Sequence, residues 1–369
     1  MGWQVVSVAG GPRQRGRAYG ELARDRVHRT IALYESIFAA YASLSWPDVR
    51  DRAGRFTEAI DVYDEQALPE IEGIAEGAGL DAEDVLAANL RTEIMFGLDT
   101  RPGHAAMKEC TAMGVAGAHP LIAQTWDWKP GARETVVLLV GAPHDRPGFV
   151  TIVEAGLLAK CGMNETGIAV ALNALQSSAD RGEPGVPLHV VLRRALTSGT
   201  FEDTVDAIER GPRASSGNYL VGARDGRVVD LEVLPGGPDE VYRPPSLAHT
   251  NHFLRPTPRP FKDLARLDGD ESVGRFDEAD GALAVGDDLA TITATLRSHD
   301  RSPDSICQHG DPSEDPALDH VTVAAMVADP MDGILHAADG NPCERPFEAF
   351  DVAGLLADAR SASQGAPTR

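Results

Sequence analysis

The sequence predicts an α+β fold, with helices packed on a largely antiparallel sheet or on two such sheets. Three observations lead there. Residues from about 14 to 98 read as helical. From residue 111 onward, short β-like runs punctuated by Gly and Pro dominate. The order along the chain is helices, strands, helices, strands, helices, strands. That order does not alternate in the βαβα manner of a doubly wound parallel sheet.

The helical segment follows one short N-terminal strand. The stretch Gly16–Ala42 has no proline and is rich in Ala, Leu, Glu and Arg, which are good helix formers apart from the β-branched interruptions. In Leu68–Gly79, residues Ile71, Ile74, Ala75 and Ala78 recur at helical spacing. Asp81 is an N-cap for the next helix, with Asp84 three positions on. That helix is expected to run through Val85, Leu86 and Leu90 to Phe96. Thr100–His104 contains Pro and Gly and interrupts the helices.

Strands are then expected at Thr111–Ala116, Leu121–Trp126, Thr135–Val140, Phe149–Val153 and Ile168–Leu172. Pro187–Ser198 and Phe201–Arg210 return to helix. Tyr219–Ala223 and Arg227–Val233 read as a hairpin around Asp225-Gly226, with Glu240–Arg243 as a further strand. Residues 261–297 read as helical, Val321–Ala328 and Gly333–His336 as a closing pair of strands. Arg360–Arg369 is small and polar and is expected to fray.

The chain has 369 residues, with 34 Lys+Arg against 56 Asp+Glu and a formal net charge of −22. Its length suits two domains or one large one. With 43% hydrophobic and 24% charged residues, it has ample material for a core. The negative charge argues against nucleic acid and against an anionic membrane surface as partners. No apolar run is long enough to span a bilayer. The opening MGWQVVSVAGGPRQRG lacks the basic and apolar regions of a secretory signal, so the expected compartment is the cytoplasm.

Phosphate-loop, serine-hydrolase and zincin motifs are absent. The four cysteines, 110, 161, 307 and 343, form no C-x-x-C pair. His249-Thr250-Asn251-His252 brings two imidazoles near each other without a third ligand nearby in sequence. The expectation is therefore no metal and no cofactor. Cys161, Cys307 and Cys343 read as structural thiols. Cys110, at the passage from helices to the first strand, reads by spacing alone as a buried structural thiol too.

The wider pattern changes the reading of Cys110. Glu109-Cys110-Thr111, followed by Gln124-Thr125-Trp126-Asp127-Trp128, resembles the acyl-coenzyme A:6-aminopenicillanic acid acyltransferase family of autoproteolytic N-terminal-nucleophile (Ntn) hydrolases. Gly10–Gly16 with Tyr19-Gly20-Glu21 resembles the family's opening, and Asn89–Phe96 the helix before its processing site. Gly162–Gly167 and Leu172–Leu175 are similar to its central strands. Ser215–Leu220, Thr250–Phe253 and Ser305-Ile306-Cys307 follow in the same order, so the resemblance spans nearly the whole chain.

The resemblance implies an αββα Ntn sandwich with a helical N-terminal segment packed on it. It implies self-cleavage between Glu109 and Cys110, giving residues 1–109 and 110–369, which stay associated. It implies that the freed α-amine, with an ordinary pKa of about 7.7–8.0, serves as base to the Cys110 thiol. Asn251 becomes the candidate oxyanion donor, against a plain role as a turn residue capping a strand end. Asp127 becomes the candidate to orient the amine, against a salt-bridged strand-end carboxylate. Thr111 is a candidate helper of the acyl shift, against an ordinary strand residue. Ser216, Ser305 and Trp128 are candidate substrate contacts, the serines with local backbone hydrogen bonding as their alternative. Gln308 stands where the family commonly places Arg, which leaves the substrate class open.

The reaction implied is cleavage or transfer of the acyl group of a small N-acyl compound through an acyl-Cys110 intermediate. Acyl-coenzyme A as donor would call for local positive charge, which a net −22 does not encourage. Two other readings stand beside it. One is a small-molecule-binding protein on the same scaffold. The other is an uncut cysteine hydrolase using a separate His.

Overall fold

A computed structural model describes residues 2–98, 110–244, 247–255, 259–267, 271–317 and 319–364. Its strands are β1 (Val5–Gly10), β2 (Thr111–Val115), β3 (Leu121–Trp128), β4 (Val136–Pro143), β5 (Phe149–Glu154), β6 (Cys161–Asn164) and β7 (Ile168–Ala174). They continue with β8 (Gly217–Ala223), β9 (Val228–Val233), β10 (Val241–Tyr242), β11 (Ala248–His249), β12 (Val321–Asp329), β13 (Ile334–Asp339) and β14 (Glu348–Asp351). They form an eight-stranded sheet, ordered β1-β4-β5-β6-β7-β8-β9-β10, and a six-stranded sheet, ordered β11-β2-β3-β12-β13-β14. All neighbours run antiparallel except β1 and β4.

The two sheets pack face to face through β2, β3 and β12 on one side and β6, β7 and β8 on the other. The helices Leu188–Leu196 and Phe201–Arg210 cover the larger sheet, and Glu271–Val285 and Leu289–Thr295 cover the smaller one. The result is an αββα layering. Strands β3, β4 and β7 are buried along their whole length; β4 reads as a continuous apolar run, whereas β3 also buries Gln124, Thr125 and Asp127 and β7 buries Asn173. Between the sheets, a Cβ on Gly222 would lie 2.5 Å from Ile122, so glycine is what permits this approach.

The N-terminal segment is not a separate body. Its strand β1 pairs in parallel with β4 and completes the edge of the larger sheet. Helices Pro12–Leu22 and Ala67–Ala78 cross backbone to backbone. A Cβ on Gly16, Gly20, Gly73 or Gly77 would come within 2.2 Å of the opposing main chain.

Three expectations are corrected. The helix expected over Gly16–Ala42 breaks at Ala23 into Pro12–Leu22 and Arg24–Ala42. The break lets Gly16 and Gly20 face one helix while Tyr34 reaches Glu154. Residues 261–264 are not helical, because the Asp263 carboxylate accepts from the Phe253 and Ala265 backbone N–H groups and competes with a helix. The C-terminal helix Val352–Gln364 extends into the stretch expected to fray. Leu356 and Ala359 are buried, and Arg360 donates to Glu165 at 2.7 Å.

Candidate active site

Cys110 lies immediately before β2 and is fully buried. Its φ is +53°, one of two non-glycine residues with positive φ among those described. An L-residue in that region carries a backbone cost of about 1–2 kcal/mol. Its carbonyl oxygen is held from two sides. Asn173 Nδ2, near the end of β7, donates to it at 3.1 Å, and Arg275 Nη1, from helix Glu271–Val285, donates at 3.0 Å.

Arg275 organises the neighbourhood. Its Nη1 also donates to Thr111 Oγ1 at 3.2 Å, and its Nη2 to Asn251 Oδ1 at 3.0 Å. The guanidinium is buried. Burial lowers its pKa, opposed by the negative charge of Asp127 and by Cys110. A guanidinium nevertheless stays protonated in proteins. It therefore places a fixed positive charge between Asp127, Asn251 and the residue at the head of β2.

Asn251 follows β11 by two positions. With its Oδ1 turned to Arg275, its Nδ2 donates to Ala174 O at 3.0 Å, and its second Nδ2 hydrogen has no partner among the described residues. Its backbone N–H donates to Ser272 Oγ at 2.8 Å, which ties the residue to the same helix that carries Arg275. Asp127 is buried on β3 and accepts from Thr322 Oγ1 at 2.5 Å. Thr322 Oγ1 in turn accepts from the Gln308 backbone N–H at 2.9 Å. Thr111 is the first residue of β2, and its N–H donates to Thr125 Oγ1 at 3.1 Å.

The structure thus brings together Cys110, Thr111, Asn251 and, through Arg275, Asp127. The other candidates bond to different partners. Trp128 is buried against the N-terminal helices, where its Nε1 donates to Tyr34 OH at 3.0 Å and Arg91 stacks over its ring at 4.6 Å. Its contacts are those of a packing residue. The Ser216 hydroxyl donates to Asp180 at 2.6 Å and lies 3.0 Å from Ser177 Oγ. These bonds hold the loop after β7, which with Arg181, Arg213, Arg259 and Phe261 lines a cavity of about 440 Å³. The Ser305 hydroxyl donates to Cys307 O at 2.9 Å, a local bond. Glu109 lies outside the described residues.

Two contributors escaped the sequence reading. Asn173 stood inside a quoted motif without a role. Arg275 stood in a segment expected to be helical, and a buried face was legible there: Ser272, Arg275 and Ala279 recur at helical spacing.

Beside the site lies a buried acidic pair with an imidazole. His249 faces Glu232 Oε1 at 3.0 Å through Nε2 and Thr250 O at 2.9 Å through Nδ1. Burial pulls its pKa down, but Asp230 and the Glu232 bond outweigh it, and the net displacement is upward. Burial pushes the Asp230 carboxyl up to about 7. Cys161 is pushed up to about 12 by burial, as befits an inert structural thiol.

The family model for acyl-coenzyme A:6-aminopenicillanic acid acyl-transferase matches residues 115–342. The chain belongs to this family. Acyl-coenzyme A:6-aminopenicillanic-acid-acyltransferase 40 kDa form from Emericella nidulans is 26% identical over 252 residues, covering 68% of this chain and 69% of that one. Among solved structures, a variant of conjugated bile acid hydrolase from Clostridium perfringens gives a TM-score of 0.46 at 13% identity, over 67% of this chain and 94% of that one. Penicillin V acylase from Agrobacterium tumefaciens gives 0.37 at 16% identity, over 62% and 83%. The layering described above rests on the strand order and packing of this chain, not on those two likenesses.

Proposed function

We propose that the chain severs itself between Glu109 and Cys110, and that mature Cys110 cleaves or transfers the acyl group of a small N-acyl compound. In the precursor the Cys110 sulfur attacks the Glu109 carbonyl carbon. The C–N bond breaks and a thioester forms. Water then hydrolyses the thioester, leaving the Glu109 carboxylate, a free thiol and an α-amine on Cys110. In the mature enzyme that amine takes the thiol proton as sulfur attacks the substrate carbonyl, and returns it to the departing amine. Water or an acceptor amine finally takes the acyl group from sulfur.

The observation that carries this reading is the grip on Cys110. A buried cysteine with left-handed backbone has its carbonyl clamped by Arg275 and Asn173, at the chain position where the family resemblance puts the cut. A clamp of this kind orients the residue and leaves little freedom to lose on reaction. In this reading Arg275 and the second Nδ2 hydrogen of Asn251 meet the negative charge that develops on an oxyanion. Asp127 holds Arg275 electrostatically and is itself seated by Thr322.

Hydrolysis of a non-phosphorylated donor fits the overall charge of −22 better than use of acyl-coenzyme A. The pairing of β1 with β4 in the larger sheet supports continued association of the two products. Intact-mass spectrometry of the purified chain, with Cys110→Ala as control, tests the proposal. A fragment beginning at Cys110 in the native protein, and a continuous and inactive Cys110→Ala chain, are expected. Full activity from a chain still continuous through residue 110 would overturn it.

A further inference from the structure

The loops at one edge of the smaller sheet bring together four side chains that the proposed reaction does not use. His299 follows helix Leu289–Thr295, Cys307 and His309 precede β12, and Cys343 lies between β13 and β14. One donor atom from each can be chosen so that all four lie within 4.8 Å of one another. Cys307 Sγ is 3.5 Å from Cys343 Sγ. His309 Nε2 is 3.3 Å from Cys343 Sγ and 3.1 Å from His299 Nε2.

These separations suit one ion at the centre. With metal–sulfur bonds of about 2.3 Å and metal–nitrogen bonds of about 2.0–2.1 Å, a tetrahedron has edges of roughly 3.8 Å for S–S, 3.6 Å for S–N and 3.3 Å for N–N. The three observed edges follow the same ranking and fall within about 0.3 Å of those values. A disulfide would account for the two sulfurs but not for the approach of His309 Nε2 to Cys343 Sγ at 3.3 Å. Two thiolates and two neutral imidazoles form a set that zinc prefers among common divalent ions, and the two thiolate charges balance the ion.

We infer that His299, Cys307, His309 and Cys343 form a Cys2His2 site for a structural zinc ion. The surroundings match what outer partners of such a site do. Asn341 Nδ2 donates to Cys307 Sγ at 3.3 Å and to Gln308 O at 2.6 Å. Arg133 holds the Asn341 side-chain oxygen. Glu344 lies 3.9 Å from His309 Nδ1, on the side of the ring away from the other donors. The ion would pin three loops. One of them, Cys307-Gln308-His309, seats Thr322, which seats Asp127.

The experiment is metal analysis of the full chain, purified under reducing conditions, loaded with zinc and desalted, together with visible spectroscopy after loading with Co2+. About one zinc per chain is expected, with tetrahedral cobalt bands that include sulfur-to-cobalt charge transfer. Cys343→Ser and His309→Ala should weaken zinc retention at least 10-fold, whereas Cys161→Ser should not change it. The cobalt spectrum of the unmutated chain tests the site even if a variant fails to fold. Less than about a tenth of an equivalent of zinc retained, a six-coordinate cobalt spectrum, or a Cys307–Cys343 disulfide in reduced preparations would each overturn the inference.

Discussion

Two groups of buried arginines in this molecule are used differently. Where the N-terminal segment meets the larger sheet, Glu70 receives Arg15 at 2.6 Å and Arg193 from the opposite side, with Arg193 stacked 4.0 Å over Phe149. Nearby, Arg91 lies 3.2 Å from Glu154, which also accepts from Tyr34 at 2.7 Å. Burial alone would raise the Glu70 pKa, but the two guanidinium groups more than offset it, so the carboxyl is held below its ordinary value. These are charge pairs closed on themselves, and they fasten residues 1–98 to the rest.

At the head of β2 the arrangement differs. Arg275 directs hydrogen bonds to three neutral oxygens, those of Cys110, Thr111 and Asn251, and its counter-charge is shared with Asp127. The first arrangement is a fastening. The second sets a buried guanidinium against the main chain of a candidate nucleophile.

Substitutions can break this contrast. The largest effect on turnover short of removing Cys110 is expected from Arg275→Ala. Loss of a charge that meets the oxyanion should lower kcat about 10²–10³-fold, with Asn251→Ala in the same range. Circular dichroism and steady-state kinetics on the same samples check this. A fall in thermal stability with unchanged kcat would make Arg275 a second fastening. Glu70→Gln should do the reverse. Leaving two buried guanidinium groups with one neutral partner should cost about 3–5 kcal/mol of stability, read from urea unfolding, while kcat of the folded fraction stays near that of the parent.

A smaller effect is expected in the pH dependence of stability. Asp230, raised to about 7 in the folded state, binds its proton more tightly there than when unfolded. Its contribution is therefore full below about pH 4 and is lost as pH rises through about 7. His249, also raised, adds a contribution that is full below about 6.5 and is lost as pH rises further. The urea midpoint of the parent should fall between pH 5 and pH 8, and Asp230→Asn should flatten that fall. Equal slopes in the two proteins would show that Asp230 does not titrate in this window.

Much of the fold was legible because it rests on local rules. Asp81 with Asp84 forms the expected capping box, and the strands around Asp225-Gly226 form the expected hairpin. The break at Ala23 was not legible, because the two helix pieces part to meet different partners. The glycines at 16, 20, 73 and 77 show a four-residue spacing in the sequence, but only their crossing reveals its use. For the candidate site, Cys110, Thr111, Asp127 and Asn251 were singled out through motif order. Trp128 follows Asp127 in the same motif but turns to Tyr34, since neighbours along a strand point to opposite faces and motif membership does not say which face is used.

The amino-acid sequence alone determined the α+β class, the absence of a basic footprint, the positions of most strands and a cysteine singled out at residue 110. The first three follow from composition, periodicity and short-range motifs, which act within a few residues, and the fourth from the order of motifs that carries the family resemblance. Tertiary structure alone decided that Arg275 stands 165 positions from Cys110 yet holds its carbonyl, and that Cys307 and Cys343 face each other with His299 and His309. Such juxtapositions depend on how two sheets and their helices pack, and packing is set by the sum of many buried contacts rather than by any local stretch of chain.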